Sequence, residues 1–206
     1  MKKTILLILL AVLAVGGYLY YRQLRTGPEY SLMQAYKAVT DHDVATFERY
    51  VDIGSVTSNL VDQVAEQGAA LSGLNSGGLA LTGALQLFKP QLARTAREQV
   101  RRYVETGSAQ AAAEAGSAGP LNVSVLGLAG KVVGEGSRFK GIKYTRKEGN
   151  QAFIGLEFTQ PLYDTTLVLE VSMRNQGDYW QATAISNSGA LIRQVARLEK
   201  QRLLVR

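Results

Sequence analysis

His42 is the only histidine in the chain, and it stands between Asp41 and Asp43. An imidazole oriented by a carboxylate is what general acid-base chemistry uses, and the same three side chains could open a metal site. A metal needs further ligands, and the sequence places none at ligand spacing. Asp and His also recur in helix joints, where their side chains cap and turn the backbone. The triplet therefore reads as a joint, and no catalytic, metal-binding or cofactor-binding residue is assigned.

Other chemistry is excluded by composition or spacing. With 0 Cys there are no disulfides, thiolate nucleophiles, thiolate zinc sites or lipidated N-terminal cysteine. Gly127-Leu128-Ala129-Gly130 lacks the spacing of a dinucleotide fingerprint, and no phosphate loop is present. A net charge of +6 would suit anionic lipid or nucleic acid. Nucleic-acid binding wants basic residues interleaved with exposed aromatics, a pattern this chain lacks, so nucleic acid is not expected as a partner.

What remains are binding surfaces. Tyr36, Phe47, Phe153 and Trp180 are the aromatic candidates for lining a ligand pocket. Arg193, Arg197 and Lys200 oppose Leu191, Ile192, Val195 and Leu198, forming a basic amphipathic helix suited to a membrane or partner surface. The same helix could simply pack on the domain with its basic side in water. Gly73, Gly77, Gly78 and Gly83, interleaved with leucines, would allow close helix approach between two copies, or form an apolar loop.

The elements that must position these residues begin with a membrane segment. Residues 4–21 carry no charge, and as a helix they span about 27 Å, close to the hydrocarbon thickness of a bilayer. Ala14-Val15-Gly16 would serve as a cleavage site, but Tyr18, Tyr20, Tyr21, Arg22 and Arg25 resemble an aromatic belt with basic anchors. The expectation is a retained signal anchor with its flank over 1–25. Its basic start stays inside, leaving a periplasmic domain on a single-pass inner-membrane protein.

Residues 26–206 are expected to form one α+β domain, with a helical part over 30–118, a sheet over 138–187 and a C-terminal helix over 189–206. Ser31-Leu32-Met33-Gln34 has the form of a capping box, and Leu32, Ala35, Tyr36 and Val39 follow at helical spacing. Asp43 is the expected N-cap of a second helix, and a third starts at Ser55. Pro90 separates an apolar run from an amphipathic helix bearing Leu92, Ala96, Val100 and Tyr103, and Gly107-Ser108 caps a further helix. From Phe139 the period changes to two. Ala152, Ile154, Leu156 and Phe158 share one face, as do Leu167, Leu169, Val171 and Met173. Turns at Gly149-Asn150 and Gln176-Gly177 make this an antiparallel meander of roughly four strands, covered on one side by the helices.

Two stretches carry a resemblance. One runs from Tyr30-Ser31-Leu32-Met33-Gln34-Ala35-Tyr36 through Asp41-His42-Asp43 to Phe47-Glu48-Arg49-Tyr50-Val51-Asp52, and the other is Gly177-Asp178-Tyr179-Trp180-Gln181-Ala182. Together they resemble a bacterial family of single-span membrane proteins bearing a domain of unknown function. The helix pair and the Gly-Asp-Tyr-Trp strand start are also similar to the cone-shaped nuclear-transport-factor-two-like and cystatin-like folds. That resemblance implies a curved sheet wrapped around helices and a pocket, and no catalytic residue. The function expected is non-enzymatic binding of a protein partner or lipid-like ligand; the alternatives are a small-molecule or enzymatic pocket in the cone, lined by Tyr36, Phe47, Phe153 and Trp180, and a membrane-surface scaffold acting through Arg193, Arg197 and Lys200.

Overall fold

The computed structural model describes residues 26–66, 78–116 and 136–204. Among these, no helix is long and apolar enough to cross a membrane. The anchor expected over residues 4–21 lies outside the described residues, as do Gly73, Gly77 and the stretch 117–135.

The described chain is α+β. Helices α1 (Pro28–Thr40), α2 (Val44–Tyr50), α3 (Ile53–Glu66), α4 (Gly78–Thr106) and α5 (Ala109–Gly116) precede four strands. These are β1 (Phe139–Glu148), β2 (Gln151–Gln160), β3 (Thr165–Asn175) and β4 (Trp180–Ile185), and α6 (Ser188–Leu204) follows. The sheet is a meander of order β1-β2-β3-β4 with every pairing antiparallel. Its turns use the residues expected: Gly149 has φ 59° and Gly177 φ 95°, a region glycine occupies without steric cost.

The two-residue alternation sorts the sheet into two faces. Ala152, Ile154, Val171, Met173, Trp180 and Ala182 form the main core, with Leu32, Val51, Leu156 and Leu169 packed around it. Ile154 and Met173 have no exposed surface, and burying each such side chain contributes about 2 kcal/mol. Helices α1 and α3 lie against β4, and α6 against β3. Leu191 and Val195 of α6 meet Leu167 in a second cluster.

Several boundaries differ from expectation, each for a physical reason. Helix α1 starts at Pro28 with Gly27 as N-cap, because proline's fixed φ and missing N–H suit the first turn. Ser31 therefore lies inside the helix and caps nothing. Helix α3 starts at Ile53, since Asp52 accepts from the Ser55 backbone N–H at 2.9 Å. Pro90 does not end a helix but sits inside α4. Proline costs an interior helix about 3 kcal/mol, and α4 offsets this by packing on α3 and α5 and burying Leu92, Ala96 and Val104. The Asp43 cap holds, its carboxylate accepting from Thr46 N–H at 3.0 Å, and Ser108 Oγ likewise accepts from Ala111 N–H at 3.2 Å.

The join of β4 to α6 is made by two amides. Asn187 continues the strand ladder with its side chain, accepting from Glu170 N–H at 2.9 Å and donating to Val168 O at 2.7 Å. That leaves the start of α6 without a local cap. Gln63 of α3 provides one from a distance: its Oε1 accepts from Ser188 Oγ at 2.6 Å and Gly189 N–H at 2.7 Å. Its Nε2 donates to Ile185 O at 3.2 Å.

Candidate functional site

Helix α1 presents Leu32, Ala35, Tyr36 and Val39, spaced three and four apart, along the wall of a hollow. Phe47 of α2, Val51 and Val56 of α3 close its sides, and its floor is Leu169, Val171, Ala182, Ala184 and Ile185 of the sheet. The hollow measures about 270 Å³, just below the range of small-molecule sites. It exists because Ala35 and Ala182 stop at Cβ where α1 crosses β4.

The hollow's chemistry is almost wholly apolar. The Tyr36 hydroxyl is the only side-chain polar atom among the described lining residues. Tyr36 is 75% exposed, which places its ring at the mouth. Such a lining has no acid, base or charge with which to orient a reacting group. It can desolvate a chain or ring of roughly methylene cross-section, and each buried methylene contributes about 0.8 kcal/mol.

Of the four aromatic candidates, the structure brings Tyr36 and Phe47 together in this hollow. Trp180 is 6% exposed and belongs to the adjoining core; its backbone N–H donates to Ser31 Oγ at 2.9 Å. Phe153 lies on the opposite face of the sheet, paired with Ser172 and Arg146, with the Arg146 guanidinium 4.7 Å from its ring centre. The alternation that buries Ile154 turns Phe153 outward. The sheet residues of the floor were missed as pocket residues, although Leu169 and Val171 share with Met173 the face that the alternation marks as inward.

His42 is a structural clamp. It has φ 58° at the joint between α1 and α2, and Nδ1 stands 2.8 Å from Val104 O. A carbonyl can only accept, so Nδ1 carries the proton and donates to one of the last carbonyls of α4, which have no partner within the helix. Gly107, at φ 65°, makes room: a Cβ there would stand 2.7 Å from His42 Cε1. Among the described residues no group of three His, Asp or Glu side chains could hold a metal ion.

The basic stripe is present on α6. Arg193, Arg197 and Lys200 are exposed, on the side away from buried Leu191 and Val195. Arg202, on the same helix, pairs with Glu199, which also accepts from the Tyr163 hydroxyl at 2.9 Å.

A polar constellation occupies the sheet face that the described helices do not cover. Tyr144 lies across Gly155, where a Cβ would come within 2.5 Å of its Cε1, so the glycine is what admits the ring. The Tyr144 hydroxyl donates to Glu170 Oε2 at 2.7 Å, and Ser186 Oγ donates to Oε1 at 2.6 Å. Partial burial pushes the Glu170 pKa up, but the Ser186 and Tyr144 hydrogen bonds and the Arg146 charge outweigh it, and the carboxyl sits below its ordinary value. The hydrogen bond to Glu170 holds the Tyr144 pKa above its usual value. With both carboxylate oxygens engaged, the constellation works as a latch on the sheet and not as a base.

No family model, curated protein or solved structure matches this chain.

Proposed function

We propose that this chain is a non-enzymatic envelope module, held to the inner membrane by residues 4–21, whose periplasmic domain binds the apolar part of a lipid-like ligand in the hollow between α1, α2, α3 and the sheet. The observation that carries the reading is the hollow itself, about 270 Å³ with a single polar side-chain atom among its described lining residues. An apolar groove open to solvent leaves surface that an apolar ligand would remove from water. The resemblance to single-span bacterial proteins and to cone-shaped folds supports the same picture.

The test is native mass spectrometry of the full-length chain released gently from its own membrane. An added mass in the lipid or fatty-acid range is expected, and its loss in a Val39→Trp variant would assign it to the hollow. A bare chain that also fails to take up a fluorescent fatty-acid probe would overturn the reading.

The exposed stripe of Arg193, Arg197 and Lys200 favours a second reading, a membrane-surface scaffold. It predicts salt-sensitive binding to anionic vesicles, and equal binding to neutral ones would count against it.

A further inference from the structure

We infer that Arg49, Tyr50 and Tyr179 form a seat for the bilayer interface, on which the domain rests beside its own anchor. The inference depends on the anchor of residues 4–21 and goes beyond it, because an anchor alone leaves the domain free to tumble on its tether.

Three observations converge. The first is chemical. Tyr50 and Tyr179 meet edge to face with centroids 5.6 Å apart, and the Arg49 guanidinium stands 4.8 Å from the Tyr179 ring and 5.8 Å from the Tyr50 ring. Tyrosine rings with a neighbouring arginine are the chemistry of the headgroup region, where an amphipathic ring lies across the boundary and a cation meets phosphate. The flank Tyr18, Tyr20, Tyr21, Arg22 and Arg25 has the same composition.

The second is position. Trp180 N–H donates to Ser31 Oγ at 2.9 Å, and Ser31 N–H donates to Gly27 O at 3.1 Å. The first turn of α1 is therefore pinned to the start of β4, next to Tyr179. Gln181 Nε2 donates to Glu48 O at 3.1 Å, which pins the end of α2 to the same strand. The cluster thus sits at the end of the domain where the chain arrives from the membrane.

The third is reach. Seven residues, from Arg22 to Pro28, span at most about 25 Å when fully extended. A domain of this size is about 40 Å across. The tether is shorter than the domain is wide, so the end carrying Pro28 faces the bilayer.

The occupant is thus the interface of the membrane that holds the anchor. The chain has 0 Cys, so a single introduced thiol can be labelled uniquely. The full chain would be reconstituted in phosphatidylcholine vesicles with a nitroxide attached through Asp178→Cys, at the exposed turn beside Tyr179. A second sample would carry it through Lys200→Cys on α6. Accessibility to oxygen and to a soluble nickel chelate is then read from power saturation. The expected result is a several-fold lower chelate accessibility at 178 than at 200, abolished by Arg49→Glu with Tyr179→Ser, while thermal unfolding shows that this variant still folds. Equal chelate accessibility at both positions, in a chain that survives alkaline washing on floated vesicles, would overturn the seat and leave the anchor standing. A chain that washes off would overturn both. Lower accessibility at 200 than at 178 would overturn the seat in favour of the basic stripe of α6.

Discussion

Ser31 Oγ accepts the Trp180 backbone N–H at 2.9 Å inside the core, joining the first turn of α1 to the start of β4 across 149 residues of chain. Ser31 has no exposed surface and Trp180 has 6%. No water is at hand to replace either partner. Beside this bond, Asp52 N–H donates to Ala182 O at 2.9 Å, and Val51 bridges Ala182 in parallel. The free edge of β4 is thus covered by α1 and the start of α3, and the hollow opens where that cover stands off the sheet.

Ser31→Ala leaves the Trp180 N–H buried and unpaired. The cost expected is about 1–3 kcal/mol, read as a lower urea midpoint with an unchanged slope. A midpoint equal to wild type would mean that the two elements are held together by apolar packing alone.

His42 and Gly107 predict a coupled pair. His42→Ala removes the hydrogen bond to Val104 O and should cost about 1 kcal/mol. Gly107→Ala places a non-glycine residue at φ 65° with its Cβ against the imidazole, and should cost about 2 kcal/mol or more. In the His42→Ala background the contact is relieved, so Gly107→Ala should cost less there than in wild type. A double-mutant cycle by chemical denaturation measures the difference; strict additivity would show that the imidazole and Gly107 do not press on each other.

Gln63→Ala removes the distant cap of α6. Ser188 Oγ and Gly189 N–H lose their common acceptor, and Ile185 O loses a donor. The expected loss is about 2 kcal/mol, accompanied by faster amide exchange in the first turn of α6 than elsewhere in that helix. Uniform exchange along α6 would indicate that Leu191 and Val195 alone hold it down.

How much of this was legible depends on the range of the interaction. The meander could be read because alternation and turn glycines are local: Ala152, Ile154 and Leu156 name a face whatever the rest of the chain does. The same alternation already turned Phe153 away from Ile154, so its exclusion from the hollow was present in the sequence. Ser31 was misread because Ser-x-x-Gln has the form of a capping box. Its true partner is a backbone N–H on the last strand, which no spacing reveals. Pro90 was misread for the converse reason, since a strong local breaker was overruled by burial along α4. The hollow is the hardest case, because it arises from alanines on α1 and β4 that face each other only once the sheet is formed.

The Tyr144–Glu170–Ser186 latch should contribute to stability at both ends of the pH range, alongside Asp43, Asp52 and Glu157 on the acid side and Tyr163 on the alkaline side. The folded Glu170 pKa lies below its ordinary value. Its contribution is therefore present above the usual glutamate range, and is lost as pH falls below about 4.3 and through the folded pKa. The folded Tyr144 pKa lies above its ordinary value. Its contribution is complete below about pH 10 and is lost as pH rises through the folded pKa. Tyr144→Phe keeps the ring over Gly155 and removes only the hydroxyl, so at neutral pH it should cost about 1 kcal/mol after solvent screening. Urea midpoints across pH should then fall less steeply at both extremes than in wild type; parallel profiles would remove the latch from the account.

Val39→Trp should fill the hollow from its α1 wall. Binding of a fluorescent fatty-acid probe to the full chain is expected to weaken at least tenfold, the equivalent of about 1.4 kcal/mol. The melting temperature should hold or rise, because the new ring replaces solvent in a space already lined by Phe47, Val51 and Ile185. Phe153→Ala is the matched control, an aromatic residue on the outer face of the same sheet whose loss should leave probe binding unchanged. If Val39→Trp binds the probe like wild type, or if both variants weaken it alike, the ligand is not held between α1 and β4. Its site would then have to be sought on the α6 surface, where Arg193→Gln with Arg197→Gln is the next pair to measure.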